Sequence, residues 1–140
     1  MSALKLNYTV PGDDFTRAGE ASASVKQKLK QLGLDPDVIR KVSIAMYEGE
    51  INMVIHAGGG EVEVEIFPDR IEILLKDHGP GIPDINKAMQ EGYSTAPENI
   101  RSLGFGAGMG LPNMKKYSDE MRLNSKVGEG TIVYMTVYVK

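Results

Sequence analysis

Apolar and polar residues alternate over positions 4–10, which predicts a β-strand, and Pro11-Gly12 then predicts a turn. Over positions 14–32 the apolar residues recur every three or four positions, which predicts an α-helix that Gly33 ends. The buried face of this helix is predicted to hold Ala18, Ala21, Val25, Leu29 and Leu32.

A second, longer helix is predicted from Asp35-Pro36 to about Ala57, where three consecutive glycines follow. Aspartate can cap a helix and proline is tolerated in the first turn, so both residues favour a helix start here. The buried side of this helix is predicted to hold Val42, Ala45, Met46 and Met53.

Two β-rich segments follow the second helix. Residues 61–67 and 70–76 predict the strands of a hairpin, and Pro68-Asp69 predicts the turn between them. Residues 83–91 then have the pattern of a short helix.

Residues 92–110 are rich in turn-forming residues and poor in apolar periodicity, which predicts a mobile loop. A helix is predicted to restart near Leu111, and strands are predicted near 121–125 and 131–139. This succession favours an α+β fold, a two-layer α/β sandwich with a mixed, mainly antiparallel sheet and helices on one face.

Length and composition narrow the class of protein. With 140 residues the chain has the size of one domain, so residues 1–140 are predicted to form a single unit. Hydrophobic residues make up 41% and charged residues 25%, which is the balance of a globular protein. No stretch approaches the roughly 20 apolar residues that cross a bilayer, and the N-terminus lacks a signal-peptide pattern. We therefore expect a cytoplasmic protein that does not bind membranes.

Several kinds of chemistry are excluded by composition. The chain has no cysteine, which rules out disulfides, thiolate metal sites and a cysteine nucleophile. Its net charge of −3, without a long Lys/Arg run, argues against direct nucleic-acid binding. Its two histidines, His56 and His78, cannot form a multi-histidine zinc site.

Glu48 and Asn52 interrupt an otherwise apolar stretch of the second helix and, four residues apart, share one face. An amide in apolar surroundings needs a polar partner, and a magnesium ion that carries nucleotide phosphates would satisfy this need. Glu48 could then orient or deprotonate an attacking hydroxyl. The alternative is a solvated Glu48 and an Asn52 amide satisfied within the core.

The sequence Asp77-His78-Gly79-Pro80-Gly81 follows the apolar strand predicted at 70–76. A carboxylate at this position can accept a hydrogen bond from an exocyclic amine such as that of adenine. Gly79 and Gly81 would let a ligand approach the backbone closely. The alternative is an ordinary turn after a strand.

A glycine-rich segment lies before the predicted helix restart at Leu111-Pro112, where free N–H groups and the helix dipole would favour an anion. It matches neither a Walker A loop nor a dinucleotide-binding fingerprint. Simple flexibility is the alternative. Its glycines occupy every second position, namely Gly104, Gly106, Gly108 and Gly110.

The four motifs E-x-x-x-N, D-x-G-x-G, G-x-G-x-G-x-G and, at residues 128–131, G-x-G-T resemble the nucleotide-binding boxes of the GHKL (Bergerat-fold) ATPase superfamily. Their order and spacing both agree with this superfamily, and the resemblance covers nearly the whole chain. It implies a histidine-kinase-like ATPase fold that uses ATP and Mg²⁺ as cofactors.

The resemblance also implies roles for individual residues. Asn52 would be the magnesium ligand and Glu48 the catalytic base, while Asp77 would contact adenine with Thr131 as its support. Arg101 is a candidate contact to the terminal phosphate. The remaining nucleotide-binding positions would be Gly79 and Gly81 beside adenine, and Gly104, Gly106, Gly108, Gly110 and Leu111 in the lid over the phosphates.

The run 103–115 is most similar to the switch-kinase branch of the free-standing anti-sigma-factor serine/threonine kinases. Neither histidine suits a phosphoacceptor, and no transducer domain follows, which argues against the histidine-kinase, topoisomerase and chaperone types. The resemblance implies a serine or threonine of a STAS-domain antagonist as substrate. It allows a sigma factor as a further partner, and also a homodimer.

The sequence is also compatible with two other functions. The chain could be a nucleotide-dependent binding module that sequesters a sigma factor or another regulator without phosphotransfer. It could also be the ATPase component of a complex in which a separate chain supplies the phosphoacceptor. Glu48 favours catalysis, because a pure binding protein would not need a carboxylate one turn before the magnesium ligand.

Overall fold

A computed structural model describes residues 4–12, 17–56, 58–79 and 110–139. The helix predicted at 83–91 and nearly all of the loop predicted at 92–110 lie outside these residues. The described elements are β1 (Leu4–Pro11), α1 (Glu20–Gln31), α2 (Pro36–His56), β2 (Gly59–Ile66), β3 (Arg70–Lys76), α3 (Gly110–Lys116), β4 (Glu120–Lys126) and β5 (Gly130–Tyr138).

The described strands form one five-stranded sheet in the order β1-β2-β3-β5-β4, and each neighbouring pair is antiparallel. The β2–β3 hairpin turns at Pro68-Asp69, as predicted, and the Phe67 N–H donates to the Arg70 carbonyl oxygen at 2.8 Å. The Arg70 guanidinium donates to Glu72 at 2.7 Å, and this hydrogen bond raises the pKa of Arg70.

The helices cover one face of the sheet. Burial alternates along β2, β3 and β5, because successive strand side chains point to opposite faces. The inward residues of these strands form one hydrophobic cluster with the buried residues of α1, α2 and α3. The α+β sandwich predicted from the sequence is therefore confirmed. The cluster includes Val25, Leu29, Val42, Met46, Met53, Val62, Val64, Ile71, Ile73, Leu75, Met114, Val133, Met135 and Val137.

The start of α2 follows the prediction. The Asp37 N–H donates to the Asp35 carboxylate at 2.8 Å, so aspartate caps the helix that Pro36 opens. The four residues that were predicted to form the buried side of α2 are all buried. Among the described residues, no helix is long and apolar enough to span a membrane.

The bounds and the last buried residue of α1 differ from the prediction. The helix begins at Glu20, because Gly19 precedes it with a left-handed φ of 98°. The predicted start near residue 14 lies outside the described residues, which resume at Arg17. Leu32 is 50% exposed, because it lies beyond the last helical residue. Leu34 packs against the core instead, and its N–H donates to the Leu29 carbonyl oxygen in the hydrogen-bond pattern of a Schellman motif.

Candidate active site

Glu48 and Asn52 lie one turn apart on α2, and both are half-buried. Two consecutive residues of α3 contact them. The Asn113 side-chain amide donates to Glu48 Oε1 at 3.3 Å, and the Asn52 amide donates to the Met114 sulfur at 4.0 Å. The helix that follows the glycine-rich segment is therefore packed against the face of α2 that carries both predicted site residues.

Gly49 lets these elements approach one another. A Cβ atom at this position would lie 2.9 Å from a methyl group of Leu75 and 3.1 Å from the methyl group of Met114. Both side chains are nearly inaccessible to solvent, at 2% and 1% exposed. Because glycine leaves this space open, α2 meets β3 and α3 at the residue directly after Glu48.

Asp77 directly follows β3, and its carboxylate is held from two sides. Oδ1 accepts from the Gly79 N–H at 3.0 Å and from the Thr131 N–H at 3.1 Å. Both hydrogen bonds to this carboxylate within the described residues end on Oδ1, and none ends on Oδ2. Oδ2 can therefore accept from a ligand donor, such as an exocyclic amine.

The neighbouring strand β5 fixes the position of Asp77. The Asp77 N–H donates to the Thr131 carbonyl oxygen at 3.0 Å, and the Thr131 hydroxyl is 2.8 Å from the Ser125 hydroxyl. Gly130 has a φ of 131°, and a Cβ atom there would overlap the Asp77 carbonyl oxygen. Only a residue without a side chain allows this approach, which explains why position 130 in the G-x-G-T motif is a glycine.

Glu50 was missed by the sequence reasoning and is the most deeply buried carboxylate described, with 2% exposed. It accepts backbone hydrogen bonds from Gly19, Ala21 and Ser22 at 2.8, 3.2 and 3.0 Å. It therefore caps the N-terminus of α1 from another helix. Its helical spacing from Met46 and Met53, two predicted core residues, was the available indication that it is buried.

The remaining predicted residues are only partly described. Gly110 begins α3, and Leu111 after it is buried with 9% exposed. The predicted residues outside the described part of the chain are Gly81, Arg101, Gly104, Gly106 and Gly108.

The described groups fit a magnesium nucleotide. Asn52 Oδ1 accepts no hydrogen bond from the described residues, so an oxygen suited to a hard cation is available on α2. The Asp77 carboxylate offers its second oxygen to an amine. Asn52 could thus hold the ion and Asp77 the base of one ligand, with Glu48 one turn from Asn52.

Comparison with known proteins identifies the family of the chain. The protein-family model for the histidine kinase-like ATPase domain matches residues 13–137 of the chain. The serine/threonine-protein kinase RsbT of Bacillus subtilis is 39% identical, over 73% of this chain and 74% of its own length. An anti-sigma F factor of Caldanaerobacter subterraneus subsp. tengcongensis is 35% identical, over 99% of this chain and 94% of its own length.

Among solved structures, the RsbU and RsbW domains of a Mycobacterium tuberculosis protein match with a TM-score of 0.66 and 17% identity. The match covers 97% of this chain, which spans about a third (32%) of the solved chain. This likeness shows the fold. With the family match and the relatives above, it confirms the resemblance found in the sequence. The chain belongs to the histidine kinase-like ATPase family, in the group that contains RsbT and the anti-sigma F factors.

Proposed function

We propose that this chain is an ATP-dependent serine/threonine kinase of a partner-switching module, which phosphorylates a hydroxyl of a STAS-domain antagonist protein in the cytoplasm. The observation that carries the proposal is the shared face of α2, where half-buried Glu48 and Asn52 both contact the helix after the glycine-rich segment. The names of the relatives, a serine/threonine-protein kinase and anti-sigma F factors, support it.

Glu48 is the proposed base. Its carboxylate would accept the proton of the partner hydroxyl as the oxygen of that hydroxyl forms its bond to the γ-phosphorus and the bond to the ADP oxygen breaks. Among the described residues, the hydrogen bond to this carboxylate ends on Oε1, so Oε2 can receive the proton. Bound Mg-ATP supplies the phosphoryl group, and the metal neutralises phosphate charge.

Asp77 and Asn52 are the proposed nucleotide-binding pair. Asp77 would accept from the adenine amine with Oδ2, because the Gly79 and Thr131 amides orient the carboxylate through Oδ1. Asn52 would hold Mg²⁺ through its side-chain oxygen. Binding at these two ends would fix the phosphates beside Glu48, which is the positioning that phosphoryl transfer requires.

The function is tested by incubating the chain with γ-labelled ATP, Mg²⁺ and purified STAS-domain proteins. We expect label on one partner as acid-stable phosphoserine or phosphothreonine, since the acceptor is a hydroxyl. Acid-labile label on a partner would instead support a phosphohistidine acceptor in a larger complex. ATP-dependent binding of a sigma factor without any transfer would support the pure binding module. Either result would overturn the kinase proposal.

ATP binding is predicted to depend on Asp77 and Asn52. In calorimetry, Asp77→Asn should weaken ATP binding about 10- to 100-fold, because a hydrogen bond to a charged group is lost. Asn52→Ala should abolish the part of the affinity that Mg²⁺ adds, and leave magnesium-free binding unchanged. Asp37→Asn and Asn124→Ala, both at exposed positions, are the matched controls. Equal magnesium dependence in wild type and Asn52→Ala would contradict the assigned ligand.

A further inference from the structure

The contact between Asn113 and Glu48 joins two residues 65 positions apart in the chain. An ionised carboxylate has only acceptor atoms, so the NH₂ group of the Asn113 amide must face it. The donor reaches Oε1 at 3.3 Å, and both side chains are half-buried. The contact constrains Oε1, and no other described residue donates a hydrogen bond to the Glu48 carboxylate.

The packing between α2 and α3 holds this contact in place. Met114 is 1% exposed and packs over Gly49, and its sulfur accepts from the Asn52 amide. Two further hydrogen bonds hold the backbone of α3. The Tyr117 N–H donates to the Asn113 carbonyl oxygen at 3.0 Å, and the Ser118 hydroxyl donates to the Met114 carbonyl oxygen at 2.7 Å. The short Asn113 side chain therefore extends from a fixed backbone.

We propose that Asn113 is a positioning residue, whose amide holds the Glu48 carboxylate in one orientation beside Asn52 during phosphoryl transfer. The inference rests on the proposed kinase activity. A glutamate on a helix surface has several rotamers, and a base must point at the hydroxyl it deprotonates. An amide suits this role because it is uncharged, and so orients the carboxylate without pairing it to a cation.

The kinetic test compares Asn113→Ala with wild type, using the STAS-domain protein phosphorylated in the transfer assay. We expect kcat to fall about tenfold while the KM for ATP changes less than about twofold, since orientation is lost and nucleotide contacts are kept. Asn113→Gln, which keeps the amide, should recover part of the rate. Asn124→Ala on the exposed side of β4 is the matched control.

A double-mutant cycle tests whether Asn113 acts through Glu48. In a Glu48→Gln background, Asn113→Ala should cause no further loss, because the base that it orients is already absent. A full tenfold further loss in that background would show that Asn113 acts elsewhere. An unchanged kcat in the single Asn113→Ala variant would also overturn the proposal.

A measurement without nucleotide separates this inference from the proposed function. The side-chain NH₂ resonances of Asn113 in an NMR spectrum of the free protein should shift in Glu48→Ala, which removes the acceptor, and stay unchanged in Glu120→Ala. If they shift but wild type transfers no phosphate, the kinase proposal has failed and the positioning role with it, although the contact is real. If they do not shift, the contact is absent and the inference alone fails.

Discussion

Glu48→Gln is expected to slow phosphoryl transfer by about 10²- to 10⁴-fold, the usual contribution of a general base. Glutamine has nearly the shape of glutamate and keeps an oxygen that can accept from Asn113, so the packing of α2 against α3 should persist. It cannot take a proton from the partner hydroxyl. The rate is measured as single-turnover transfer of label to the partner protein, with ATP affinity determined in parallel by calorimetry.

The controls for Glu48→Gln separate lost chemistry from lost binding. ATP affinity should remain within about twofold of wild type, because Asp77 and Asn52 are unchanged. Glu120→Gln, an exposed change of the same type on β4, should leave the rate unchanged. Transfer at the wild-type rate in Glu48→Gln would rule out Glu48 as the base.

Glu50→Ala is expected to lower the free energy of unfolding by about 3 kcal/mol, because three buried or half-buried N–H groups lose a charged acceptor. The lost hydrogen bonds are those at the N-terminus of α1, where the negative charge of Glu50 also interacts favourably with the helix dipole. Glu50→Gln keeps an acceptor oxygen but not the charge, so its loss should be roughly half as large. Urea denaturation followed by far-UV circular dichroism measures both variants.

The exposed Glu120 supplies the comparison for this stability series. Glu120→Ala should change the free energy of unfolding by less than about 0.5 kcal/mol, as surface substitutions usually do. If Glu50→Ala were as stable as Glu120→Ala, water or another group would have to satisfy the freed amides of Gly19, Ala21 and Ser22. The capping role assigned to Glu50 would then be wrong.

The proposed base Glu48 and the capping residue Glu50 point in different directions from α2. At about 100° per residue, Glu50 points about 160° away from Glu48 and from Asn52. The buried stripe through Met46, Gly49 and Met53 lies between the two directions, so Glu50 faces α1 while Glu48 and Asn52 face α3. One helix thus carries a structural carboxylate on one flank and the proposed base on the other.

Local patterns in the sequence were sufficient for most of the fold. Period-two and period-3.6 spacing predicted every strand and helix of the described residues, because each depends on neighbours a few positions away. The motifs around Glu48, Asn52 and Asp77 predicted the family, since the chemistry of a nucleotide site needs these residue types in order. The exceptions lie at α1, where Gly19 delays the helix start and Leu34 replaces Leu32 in the core.

The long-range contacts that orient the site residues and cap α1 could not be read from the sequence. Asn113 reaches Glu48 across 65 positions, Thr131 reaches Asp77 across 54, and Gly19 reaches Glu50 across 31. Such pairs form only once the strands are ordered in the sheet and α2 is packed on it. Many residues far apart in the sequence together determine that strand order and that packing. The sequence by itself determined the elements, the family and the chemical groups of the proposed site, whereas the tertiary structure decided which partner orients each group. The reason is that side-chain pairing over long separations depends on how whole elements pack.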